Sequence, residues 1–171
     1  MPRADLDVHF ARIDGLVQEI GQFVPKDTTK TIQFRADLAG LLVVTIAATY
    51  ESCVKDTLFY FANRHHSSFG SYVFNNYRRL NSRINLDDLN RYCKLFGDNV
   101  HKRFRQILTQ RSGKLLDRIG KDIGKSYSQI LDWRHDFAHE GKRNTTIEEA
   151  IVTHKLAKRV LYAFDDAFNG K

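Results

Sequence analysis

From Thr31 to Arg64, apolar residues recur at helical spacing and no proline interrupts them. Gly40, Val44, Ala47, Glu51, Val54, Leu58 and Phe61 follow one another at gaps of three or four, the spacing of a single helix face. The neighbouring face, with Leu38, Leu41, Leu42, Thr45 and Ala48, is apolar too. A helix that is apolar on adjoining faces must be covered from more than one side, so it belongs at the centre of a helical assembly. Glu51 interrupts its stripe. A carboxylate at such a place is costly to bury unless it is paired, so Glu51 is either half of a structural ion pair or part of a site.

The rest of the chain repeats the same period. Leu6, Phe10, Ile13, Val17, Ile20 and Val24 form a first helical stripe, which Pro25-Lys26-Asp27-Thr28-Thr29 ends. His65-His66-Ser67-Ser68 with Gly70 reads as a loop. Phe69, Val73, Tyr77, Leu80 and Ile84 form another stripe, with Arg78, Arg79 and Arg83 beside it. Aromatics among arginines can stack on bases, although rings at helical spacing more often fill a core. Asn85 can cap a short helix with Asp87 and Asp88 in its first turn, Leu86, Leu89, Tyr92, Cys93 and Phe96 on its buried side, and Gly97 at its end. A short basic helix follows over 99–109. A long helix then runs from Ser112 to His139, with the stripe Leu116, Ile119, Ile123, Tyr127, Ile130, Arg134, Phe137. Gly120 and Gly124 would let another helix come close. Gly141 suits the position after a helix end. Thr145 or Thr146 with Glu148 or Glu149 reads as a capping box for a last helix, whose stripe includes His154, read as a satisfied core histidine. No strand-period stretch or repeat occurs. The expectation is an all-α helical bundle with long central helices, one domain over 1–171.

A chain of 171 residues can bury a core of its own. Two cysteines, Cys53 and Cys93, without C-x-x-C spacing, suit reduced thiols and a cytoplasmic location. The N-terminus has no apolar signal core, and the most apolar run, Leu38 to Ala48, is about half of what a bilayer requires, so no membrane is expected. Charge is uneven. Arg78 to Lys125 holds 13 Lys+Arg against 5 Asp, a net of +8, while the whole chain is +7. A middle segment that carries all the excess charge suits a polyanionic partner.

Chemistry is densest in Trp133-Arg134-His135-Asp136-Phe137-Ala138-His139-Glu140-Gly141. Arg134 lies on the apolar stripe. Ser128, Asp132, His135 and His139 lie on a second, polar line at gaps of four, three and four. If Glu51 and Arg134 both point inward, pairing them is the economical arrangement, and it would fix the guanidinium fork. A cation beside an imidazole, without a metal cage, suits phosphodiester transesterification in RNA: the imidazole moves a proton and the cation stabilises the phosphorane-like transition state. On an ideal helix Arg134 and His139 lie about 7.5 Å apart along the axis and about 140° apart around it, so they do not share a face. His135, or a second copy of the site across a two-fold axis, would supply the second proton-transfer group.

Arg134-His135-Asp136-Phe137-Ala138-His139 resembles the R-x4-H motif of the HEPN superfamily, with a polar residue after the arginine and alanine before the histidine. Ala47-Ala48-Thr49-Tyr50-Glu51-Ser52-Cys53-Val54-Lys55 resembles the early-helix motif of the RiboL-PSP-HEPN-like branch. The resemblance covers roughly residues 35 to 165. It implies a homodimer with a composite, metal-independent endoribonuclease site that needs no cofactor. It implies that Arg134 and His139 are catalytic, His135 the assisting polar residue, Glu51 an active-site carboxylate, and Asp136 and Asp132 possible support. Lys142, Arg143, Arg103 and Arg105 are the candidate RNA contacts, and the RNA would be tRNA or mRNA. Such domains often act as toxins or anti-phage effectors, with a separate antitoxin or sensor. Two alternatives stand beside this reading. One is a non-catalytic helical binding module. The other is a metal-dependent hydrolase using the H-D-x-x-H pair His135 and His139, for which Glu140, Glu148 or His154 would have to be the third ligand.

Overall fold

The computed structural model describes residues 3–24, 31–77 and 84–170. The break expected at Pro25–Thr29 and the residues Leu80, Arg78, Arg79 and Arg83 lie outside them. Seven helices occupy the described residues: α1 (Arg3–Phe23), α2 (Ile32–His65), α3 (Ser67–Tyr77), α4 (Leu86–Leu95), α5 (Asp98–Ile119), α6 (Ile123–Glu140) and α7 (Ile147–Asn169). The chain is an all-α bundle, and all seven helices send side chains into one core.

Helix α2 is central, as its two apolar faces require. It packs against α1, α3, α6 and α7 and buries residues such as Leu42, Val43, Ile46, Tyr50, Val54 and Leu58. Cover is incomplete on one side. Leu41, Thr45 and Ala48 of the second face stay exposed beside a groove that α1 shares. By length and composition alone α2 is long and apolar enough to cross a membrane, a test that the central helix of a helical bundle also passes.

The helix boundaries depart from the sequence reading at two places. Between α2 and α3 only His66 leaves the helical path, where a loop to Gly70 was expected. Gly70 is helical and buried, because a Cβ there would lie 2.8 Å from the Asn63 backbone of α2. The larger departure concerns the basic segment. Residues 98–119 form one helix, and the break falls at Gly120–Asp122 instead of near residue 111. Gly120 takes φ +65, and the carboxylate of Asp122 accepts the Lys125 N–H (2.8 Å) and the Ser112 hydroxyl (3.0 Å). These bonds, the Lys125 N–H first, hold the Asp122 carboxyl below the usual carboxylate range. Leu116 and Ile119 therefore leave the buried stripe and are half exposed. Gly124, by contrast, does meet a neighbour, Leu86 of α4.

Caps hold where they were expected. Asn85 and Asp88 form a capping box on α4, as do Thr146 and Glu149 on α7. Gly97, expected to end α4, instead precedes α5 with φ +135. His154 is buried. Its Nδ1 lies 2.9 Å from the Tyr50 hydroxyl, but Nε2 has no partner among the described residues, so the core histidine is only half satisfied.

Candidate active site at the end of helix α6

Helices α2 and α6 run antiparallel in a register that two contacts fix. The ring of Phe137 lies on Gly40, and ten residues further along α2 the ring of Tyr50 stacks on Tyr127 at 5.3 Å. In this register Arg134 is level with Val43, and Glu51 with Ser126. Glu51 and Arg134 are therefore offset by about 12 Å along the helices. The carboxylate of Glu51 pairs with Lys55, one turn on in its own helix, rather than with Arg134. Its charge is also felt by the Tyr92 phenol of α4, whose pKa is raised, first by burial. Glu51 thus faces the α2–α4 side, two turns from the nine-residue stretch. Periodicity put it on the stripe that includes Gly40 but could not show its level or its partner.

The end of α6 is braced from several sides. Gly40 has no Cβ because Phe137 occupies that space: an added Cβ would lie 2.1 Å from Cδ2 and 2.5 Å from Cγ. Gly141 takes φ +64, and its N–H donates to the Phe137 carbonyl at 3.1 Å, while the Lys142 N–H donates to that of Asp136 at 3.2 Å. The Asn144 amide donates to the Asp136 carboxylate at 2.8 Å. Arg143 pairs with Asp37 of α2, and Lys142 with Glu140. Asp37, Gly40 and Asn144 are the positioning residues that motif reading missed. A glycine on the apolar stripe of α2 was the visible sign of one of them.

On this braced end Arg134 and His135 are half buried and His139 is exposed. The rings of His135 and His139 lie 4.8 Å apart between centroids, one turn apart on the polar line. Asp132, one turn before His135, is exposed. The candidate RNA contacts are placed unequally. Arg103 donates to the Ala167 carbonyl of α7 (2.9 Å), and Lys142 and Arg143 are in the ion pairs just described. Arg105 is exposed on α5, where it lines a shallow surface with Lys102 and Gln106. Among the described residues no three His, Cys, Asp or Glu side chains converge as metal ligands, so the H-D-x-x-H pair lacks the third donor that zinc requires.

Gly40 offers a direct test of the bracing. Cγ of Phe137 is fixed close to the backbone, so turning the ring cannot relieve the contact. Alanine at Gly40 gains up to about 1 kcal/mol of helix propensity but overpacks the contact by about 1–3 kcal/mol. Denaturant unfolding should show a net loss for Gly40→Ala, and adding Phe137→Leu should recover part of it. A Gly40→Ala protein more stable than wild type would refute this contact.

The family model described as RiboL-PSP-HEPN matches residues 11–170. No curated protein and no solved structure matches the chain.

Proposed function

Because this chain belongs to the RiboL-PSP-HEPN family, we propose that it is a metal-independent endoribonuclease that cleaves RNA by 2′-OH transesterification. The observation that carries this reading is the pair of imidazoles, His135 and His139, 4.8 Å apart at the exposed end of α6 beside Arg134. Two imidazoles at that separation reach one phosphodiester. His139 accepts the 2′-OH proton as O2′ attacks phosphorus, and the P–O5′ bond breaks. O5′ takes a proton from the imidazolium of His135, or from the same site in a second copy. The products are a 2′,3′-cyclic phosphate and a 5′-hydroxyl. Arg134 stabilises the extra negative charge on the phosphoryl oxygens in the transition state.

The angular separation of Arg134 and His139 supports a homodimer, in which the Arg134 of one copy serves a phosphate held by the histidines of the other. On this reading Glu51 acts at a distance from the phosphate, through Lys55, and Asp136 supports the site by holding Asn144. A cytoplasmic toxin or anti-phage effector, acting on tRNA or mRNA and held in check by a separate antitoxin or sensor, is the biological role we favour.

The chemistry has a clean test. An RNA with a single 2′-deoxy nucleotide at the scissile position should resist cleavage there, while the all-ribose RNA is cut in the presence of EDTA and leaves 2′,3′-cyclic phosphate ends. Cleavage of the deoxy linkage, or 3′-hydroxyl products, would rule out transesterification.

A further inference from the structure

The loop that leaves α6 opens with a run of donors, and each is taken up by a carboxylate. Lys142 pairs with Glu140, Arg143 pairs with Asp37, and the Asn144 amide donates to Asp136 at 2.8 Å. Three consecutive residues past Gly141 thus hold three acids, two from the last turns of α6 and one from α2. Both ion pairs lie open to water. The side chains of Arg143 and Asp37 are 43% and 38% exposed, and those of Lys142 and Glu140 57% and 44%. Pairs as open as these add little to stability, so two of them side by side are a poor way to hold a loop.

Their position ties them to the candidate site. With Phe137 seated on Gly40, Asp37 is level with Glu140, one residue past His139. On an ideal helix His139 lies about 160° round α6 from Phe137, on the side away from α2 and Asp37. A phosphate at Arg143 is therefore a neighbour of the scissile one along the strand, held across the helix end. Guanidinium and ammonium groups offer the same N–H donors to a carboxylate and to a phosphate, so the two anions compete for one place.

We infer that Asp37 and Glu140 are place-holders for RNA phosphate: in the free protein they occupy Arg143 and Lys142, and the strand binds by displacing them. The inference rests on the ribonuclease reading for its choice of ligand. The two carboxylates are then a restraint on affinity that is built into the site. Each of these cations is already neutralised before RNA arrives, and each displaced carboxylate takes up a counterion. Wild type therefore binds less tightly, and with a weaker dependence on salt, than its number of cations suggests.

Anisotropy of a labelled 2′-O-methyl oligouridine of about eight nucleotides, which cannot be cut by 2′-OH attack, reports binding apart from cleavage. Asp37→Asn should bind about two- to fivefold more tightly than wild type, the worth of one exposed pair. Its plot of log affinity against log salt concentration should be steeper by about 0.7. Arg143→Ala should bind more weakly than wild type. Both variants break the same pair, so a pair that only braced the loop would move both affinities in the same direction, which overturns the inference. Asp136→Asn removes a charge from the same helix end, but Asp136 holds an amide rather than a cation, so this variant measures the plain effect of charge. A gain for Asp37→Asn no larger than that for Asp136→Asn overturns the place-holders. So does unchanged or weaker binding by Asp37→Asn, and so does absence of binding by both wild type and Asp37→Asn. If the affinities order as expected but none of the proteins cuts the all-ribose oligouridine, the place-holders stand and the ribonuclease reading falls.

Discussion

His139→Ala should lower single-turnover RNA cleavage by roughly a hundredfold to ten-thousandfold, the range that removing a general acid or base produces. Its unfolding midpoint should stay where it is in wild type, because His139 is exposed and its ring meets only that of His135 among the described residues. His135→Ala isolates the other proton. If the two imidazoles divide the work within one chain, the pH–rate profile of His135→Ala loses one limb. If a second copy supplies the acid, the profile keeps both limbs and the rate falls less. Equal rates for wild type and His139→Ala, with both proteins folded, would remove His139 from the reaction.

The other large effect concerns stability and comes from His154. Its ring lies between Tyr50, which stacks on it at 5.7 Å, and Phe10, which meets it edge-on at 5.5 Å. Burial, and then the charges of Lys158 and Lys155, push its pKa down from 6.5 to about 4. Above pH 6.5 the ring is neutral in folded and unfolded chains, and its contribution to stability is complete. Between pH 6.5 and about 4 the unfolded chain takes up a proton that the folded chain refuses, so stability falls with pH. Below about pH 4 both forms are protonated and the loss levels off. The whole loss is about 3 kcal/mol, at 1.36 kcal/mol per pH unit. His154→Phe leaves the Tyr50 hydroxyl unpaired and should cost about 1–3 kcal/mol at pH 7. The difference between the two proteins should shrink on acidification and reverse between about pH 6 and about pH 4, as measured by urea unfolding. A difference independent of pH would show that His154 does not carry this linkage.

Much of the fold is legible in the sequence because it depends on local chemistry. The stripes of α1, α2 and α7, the boxes at Asn85 and Thr146, and the stop at Gly141 are written within a few residues of where they act. The break at Gly120 was hidden by its surroundings. Leu116, Ile119, Ile123 and Tyr127 keep helical spacing across it, and only Gly120 with Asp122 two residues on marks the end of one helix and the cap of the next. That Arg134, His135, Asp136 and His139 fall together was legible, since all four lie on the end of one helix. The level of Glu51 against Arg134 was not. That offset follows from how Gly40 seats Phe137 and Tyr50 stacks on Tyr127, which are contacts between helices that no single periodicity encodes.

The break at Gly120 also bears on which changes of length the chain can absorb. Were residues 98–140 one rod, a single inserted residue anywhere in it would turn all that follows by about 100° relative to all that precedes. Because α5 is held to α7 through Arg111 and Asp166, and α6 to α2 through Phe137 and Gly40, each helix has contacts of its own that set its rotational phase. An insertion at 120–122 is then taken up by the linker, and the histidines keep their outlook. One between Tyr127 and His135 swings them off the polar line. Length variation among related chains should therefore gather at the linker and avoid the helix that follows it.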